Sequence, residues 1–190
     1  ISKVPHVAFT SFSFPDHASM FTAASEVSRR GLACEAFGFD PYLQAQRMKR
    51  ESLAQDLKVL GNVMKSSGSV FGAIKDAAKI ATAGRRYMDD VPFSFHFTTE
   101  NHNQVAAQEA IAEINSICKG AGGTKIENSI PKIIRSNPFM PLNNMVGPQG
   151  ERWLPVHGLV PHSKAIEMAD KIEELFKKHR KAMKSIEKAL

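Results

Sequence analysis

His157, with Arg152 and Trp153 just ahead of it, is the residue whose neighbours best equip it for chemistry. The stretch Arg152-Trp153-Leu154-Pro155-Val156-His157-Gly158-Leu159-Val160-Pro161-His162-Ser163 holds the only Trp and two of the seven His of a 190-residue chain. An imidazole titrates near neutrality and can give or take a proton. A guanidinium can clamp a carboxylate through two parallel hydrogen bonds. An indole offers a flat face for stacking. Each residue also has a plainer reading. His157, set between Val156 and Gly158, can be a core histidine satisfied by a backbone carbonyl. Arg152 can be a solvated strand end, and Trp153 can be packing. Arg135, inside an irregular segment, and His96, inside a Phe-rich run, are further candidates to face a ligand.

Other chemistries leave no trace. The chain has no P-loop, no GxGxxG after a strand, no HExxH, no EF-hand loop and no GxSxG elbow. Gly120-Ala121-Gly122-Gly123 follows a helical pattern instead of opening one, which argues against a phosphate cradle. His96, His157 and His162 lack further ligands at metal-binding spacing, so no metal site is expected. Cys34 and Cys118 stand alone in apolar surroundings and read as free thiols of a cytosolic protein.

The elements that must position these residues follow from periodicity. Val7 to Phe14 alternates and is rich in Phe and Thr, predicting a strand. Asp16 is a natural N-cap for a helix carrying Met20, Phe21, Ala24 and Val27, and Gly31 stops it. A short strand, Leu32 to Phe39, comes next. Residues 45–90 carry Leu53, Leu57, Leu60 and Met64, then Val70, Ile74, Ala77 and Ala81, which predicts an inserted helical pair. Residues 91–99 form the strongest strand pattern, with Phe93, Phe95 and Phe97 on one face and Ser94, His96 and Thr98 on the other. A helix over 102–119 follows. Residues 120–150 hold five Gly and four Pro and read as a long loop. The His157 stretch reads as a fourth strand, and a helix with Ala165, Ala169, Ile172 and Phe176 on one side runs to the C-terminus.

Two β-α-β units of this kind predict an α+β fold: a ferredoxin-like antiparallel sheet with helices on one face, plus the inserted pair. On that plan the uncovered face presents Ser94, His96, Thr98, Trp153 and His157. A sheet face bearing two His and a Trp needs a cover.

Charge points to the same surface chemistry only weakly. The net charge is +6; residues 47–90 contribute +4 and residues 164–190 contribute +3, leaving −1 elsewhere. The excess lies on helices and is diluted by acids, so nucleic acid is not expected as a partner. Glu35-Ala36-Phe37-Gly38-Phe39-Asp40-Pro41-Tyr42 echoes an RNA-recognition motif, yet Glu35 and Ala36 replace its basic residue and Gly. The basic insertion fits contact with a partner subunit, in a homo-oligomer, or with an anionic membrane surface. No apolar run approaches the ~20 residues of a membrane span, so the expected location is cytoplasmic, with peripheral membrane contact through residues 45–90.

The stretch Gly150 to Ser163, with its Gly, Arg and Trp before a Pro, its His, and a Pro-x-Ser turn opening a helix, resembles the last strand of the FAD-linked oxidase C-terminal domain. That is the cap domain of the vanillyl-alcohol oxidase, p-cresol methylhydroxylase and glycolate oxidase type of flavoenzyme. The opening strand, the Pro15-Asp16 helix and the strand ending at Asp40 are similar as well. The resemblance implies a single cap domain over 1–190 whose sheet face roofs an FAD held by a separate upstream FAD-binding domain. It implies dehydrogenation of a C–H bond beside a hydroxyl, in a 2-hydroxy acid such as glycolate or D-lactate or in a 4-alkylphenol, with hydride passing to the flavin. His157 would then be catalytic, and Arg152, Trp153, His96 and Arg135 would face substrate or flavin. The alternative is a stand-alone ferredoxin-like domain that binds a ligand or partner without catalysis.

Overall fold

In a computed structural model, the structure describes residues 4–41, 92–136 and 157–189. The expected helical pair at 45–90, the rest of the loop from 137 to 150, and Arg152 and Trp153 lie outside them. The chain divides into two compact units, Ile1–Pro138 and Phe139–Leu190.

The first unit is built from β1 (His6–Phe14), α1 (His17–Arg29), β2 (Glu35–Phe39), β3 (Phe93–Asn101), α2 (Gln104–Gly120), β4 (Thr124–Ile126) and α3 (Ser129–Ser136). Its sheet runs in the order β2-β3-β1-β4, and every pairing is antiparallel. A βαββαβ chain in that order is the ferredoxin-like arrangement, as the alternating patterns predicted.

The helix boundaries are set locally. The Asp16 carboxylate accepts from the Ser19 N–H at 2.7 Å, and the Asn103 side-chain oxygen accepts from the Val105 N–H at 2.9 Å. Each satisfies a helix-start donor that has no partner within its helix. Both helices end in the same motif. Leu32 N–H donates to the Val27 carbonyl and Gly31 N–H to Ser28; Gly123 N–H donates to Cys118 and Gly122 N–H to Lys119. Gly31 and Gly122 take φ of 64° and 85°, the left-handed conformation this C-cap requires and a side chain resists.

Strand alternation then sorts the sheet into two faces. Phe12, Phe14, Phe95 and Phe97 point to one face and pack with Met20, Ala23 and Val27 of α1 and Ile114 and Cys118 of α2. Full burial of each aromatic or aliphatic side chain stabilises the fold by ~1.5–3 kcal/mol. Thr10, a buried polar residue on this face, donates to Asn115 of α2 at 2.6 Å. Arg30, the C-cap of α1, reaches Glu113 of α2 at 2.6 Å, tying the two covering helices together.

Two expectations are corrected. The fourth strand of the described sheet is β4; of the His157 stretch, residues 157–160 form no strand, and residues 152–156 lie outside the described residues. The register explains why three residues suffice: β4 pairs Thr124 with Ser13 and Ile126 with Ser11, closing the edge of β1 next to the end of α2. In addition, the segment after Gly120 is not all loop. It contains β4 and α3, and Arg135 sits on α3.

The second unit has a stretch without helix or strand, 157–161, a 3-10 turn at His162–Lys164 and α4 (Ala165–Ala189). The turn closes where Lys164 N–H donates to the Pro161 carbonyl at 2.8 Å, so the Pro-x-Ser segment does open a helix. Among the described residues, no helix is long and apolar enough to cross a membrane.

Candidate functional site on the second sheet face

The face turned away from α1 and α2 is the one expected to be open, and here it is closed. The register places Phe37, His96, Ser11 and Ile126 in one row across the four strands. Phe39, Ser94, Ser13 and Thr124 form the row beside it, and Glu35, Thr98 and Phe9 begin the row on the other side. Ser11, Ser94, His96 and Thr98 are all fully buried.

His96 is held from four directions. Its Nδ1 lies 2.9 Å from the Ser11 hydroxyl and its Nε2 3.1 Å from the Ser94 hydroxyl. The Phe37 and Phe39 rings lie 5.2 and 5.5 Å from the imidazole. A hydroxyl can donate or accept, so a neutral imidazole in either tautomer is satisfied here. A buried polar ring is stable only with such partners. The structure therefore brings His96 into a closed hydroxyl cage instead of onto an open surface.

α3 covers part of this face. Pro131 is fully buried, and the Arg135 guanidinium forms ion pairs with Glu35, at 2.9 Å, and with Glu100. Glu35 and Glu100 come from β2 and β3, so one Arg bridges the two strands to the helix above them. Arg135 is committed to holding α3 in place, with two carboxylates already in its fork.

Among the described residues, two buried polar atoms beside the cage find no partner: Thr98 Oγ1 and Asn128 Oδ1. Asn128 donates its amide N–H to the Phe9 carbonyl at 3.1 Å. The β1–β4 register, continued by two residues, sets Asn128 opposite Phe9, so the amide stands where the next ladder bond would be. The row Glu35–Thr98–Phe9–Asn128 thus carries an unmatched hydroxyl and an unmatched carbonyl on either side of one aromatic ring.

The thiols are inert. Burial, with help from the nearby Glu35 charge, pushes the Cys34 thiol up from its usual range, and its Sγ–H points at the Thr98 carbonyl at 3.2 Å. Cys118 is fully buried, and burial pushes its thiol up to about 12. Neither supplies a thiolate near neutral pH. No group of three or more His, Cys, Asp or Glu that could hold a metal occurs among the described residues.

Of the expected site residues, His96 and Arg135 share this face, but both are engaged internally. His157 is exposed, in the stretch of the second unit that forms neither helix nor strand. Ser11, Glu100 and Asn128 carry no mark in the sequence, and Glu35, Phe37 and Phe39 stand out only in the stretch that echoes an RNA-recognition motif. Alternation within β1 and β2 could have placed Ser11, Phe37 and Phe39 on the His96 face. The pairing of Arg135 with two acids so distant in sequence had no local signal. A flavin does not fit these described residues: the face expected to roof it is filled by Phe37, Phe39 and α3, and no described Gly-rich turn opens a helix. No family model matches the chain, and neither do any curated proteins or solved structures.

Proposed function

We propose that this chain is the substrate-binding cap portion of an FAD-dependent oxidoreductase that dehydrogenates a hydroxyl-bearing substrate. The carrying observation is His157, exposed in a segment without helix or strand that leads directly into the Pro161 turn and α4. Of the pattern in Gly150 to Ser163 that carries the resemblance, the turn that opens a helix after Pro161 is present, whereas residues 157–160 form no strand. The ferredoxin-like sheet of the first unit agrees with it as a scaffold. Flavin would be held by another segment and supply the hydride acceptor. The chain's own part would be to orient substrate and to take the hydroxyl proton at the His157 imidazole, a contribution worth ~10²–10⁴ in rate. His96 has no part in this chemistry, because its ring nitrogens are spent on Ser11 and Ser94.

A second reading is a ligand- or partner-binding domain without catalysis. It is favoured by the first unit, where the described strands β1 to β4 already form a ferredoxin-like sheet. The experiment is to purify the chain together with any coding sequence that precedes it and follow flavin absorbance under anaerobic addition of 2-hydroxy acids and 4-alkylphenols. Bleaching that His157→Gln slows at least a hundredfold, at unchanged melting temperature, supports the cap reading. Protein that takes up no flavin refutes it and leaves the binding-domain reading.

A further inference from the structure

Helix α4 carries a surface that the cap reading does not use. Ala165, Met168, Ala169, Ile172, Leu175 and Phe176 recur at three- and four-residue spacing and form one apolar stripe. Leu175 and Phe176 are 54% and 53% exposed, and Met168 and Ile172 are exposed as well. A stripe this regular on a helix of 25 residues, ~37 Å at 1.5 Å per residue, is stabilised chiefly by being covered.

The charges on the same helix say what covers it. Its first half carries Glu167, Asp170, Glu173 and Glu174 against Lys171 alone, for −3; Lys177, Lys178, Arg180 and Lys181 follow with no acid among residues 177–182, for +4. Compensation of the helix dipole explains such a bias only in the first and last turns. Two copies laid antiparallel bring each acidic half against a basic half, whereas parallel copies set acid on acid and base on base. An anionic membrane would attract the second half and repel the first.

We propose that α4 pairs with α4 of a second copy of this chain, antiparallel, along the stripe from Met168 to Ala182. The heptad spacing sets Ile172 of one copy against Ala182 of the other and Leu175 against His179, with the two Phe176 side chains meeting near the crossing. Glu173, which also pairs with Lys177 of its own helix at 3.6 Å, lies opposite Arg180 twice by symmetry. The pairing stands apart from the cap reading and does not depend on flavin.

The test is sedimentation velocity across a micromolar concentration series, with far-UV circular dichroism as the control for folding. The wild-type chain is expected to sediment as a dimer. Leu175→Lys is expected to abolish the dimer with helix content largely kept. Glu173→Arg and Arg180→Glu should each weaken association ~10-fold or more, since a rim attraction becomes a repulsion at two symmetric places. The double variant Glu173→Arg/Arg180→Glu should return to within ~3-fold of wild type, because the pair is rebuilt with its signs exchanged. A monomer at all concentrations overturns the proposal, as does a dimer that the double variant fails to restore. Monomer that co-sediments with phosphatidylserine vesicles overturns it in favour of a lipid surface.

Discussion

Cys118 provides a direct measure of how tightly the first unit is packed. Its thiol faces the core formed by Phe12, Phe14, Phe97 and Ile114, with no exposed surface. Burial alone raises it from 9.0 to about 12. The neutral thiol costs little to bury, but a thiolate there would lose its hydration without a partner. A group with a raised folded value stabilises fully below its unfolded value, and that stability drains away as pH rises from 9 towards 12. At ~1.36 kcal/mol per pH unit that rise amounts to about 4 kcal/mol, of which about two thirds is lost by pH 11. Against a whole-domain stability of ~5–15 kcal/mol this is a large share. Urea unfolding between pH 8 and pH 11, in a Cys34→Ser background, should show wild type losing that much more than Cys118→Ala. Subtracting the variant removes the Lys and Tyr titrations common to both and leaves its cavity cost as a constant offset. Parallel pH profiles would refute the reasoning: Cys118 would then reach solvent in the native state.

Two further outcomes test the closed face and the helix ends. His96→Ala should cost ~3–5 kcal/mol by urea unfolding, since it opens a cavity between Phe37 and Phe39 and strands the Ser11 and Ser94 hydroxyls; a loss under 1 kcal/mol would mean that the face is wet. Gly123→Ala should cost ~2 kcal/mol or more, because a Cβ there would sit 2.8 Å from both the Cys118 carbonyl and the Phe14 ring. Gly31→Ala meets no atom within 4 Å, so only its positive φ penalises it, by ~1–2 kcal/mol. Equal losses at the two glycines, read from melting temperatures, would count against the close packing at Gly123.

What the sequence determined by itself is local. Alternating Phe and polar residues in β1 and β3, the Asp16 cap, and the Gly31 and Gly122 stops are each written within a few residues, because hydrogen bonding and strand parity act over that range. Those signals were enough for a ferredoxin-like sheet. Tertiary structure alone decided which segment became the fourth strand. The Thr124–Ile126 strand has too few residues to show a period, yet it lies next to the α2 stop and pairs with Ser11 to Ser13; the longer and more apolar His157 stretch forms no strand over residues 157–160. The fate of His96 was decided in the same way. Its parity in β3 fixed the face, but only pairing with β1 and β2 supplied Ser11, Phe37 and Phe39, and with them the cage that makes it structural. Arg135 joins two acids that are 35 and 100 residues removed from it, and no local pattern carries an ion pair across that separation.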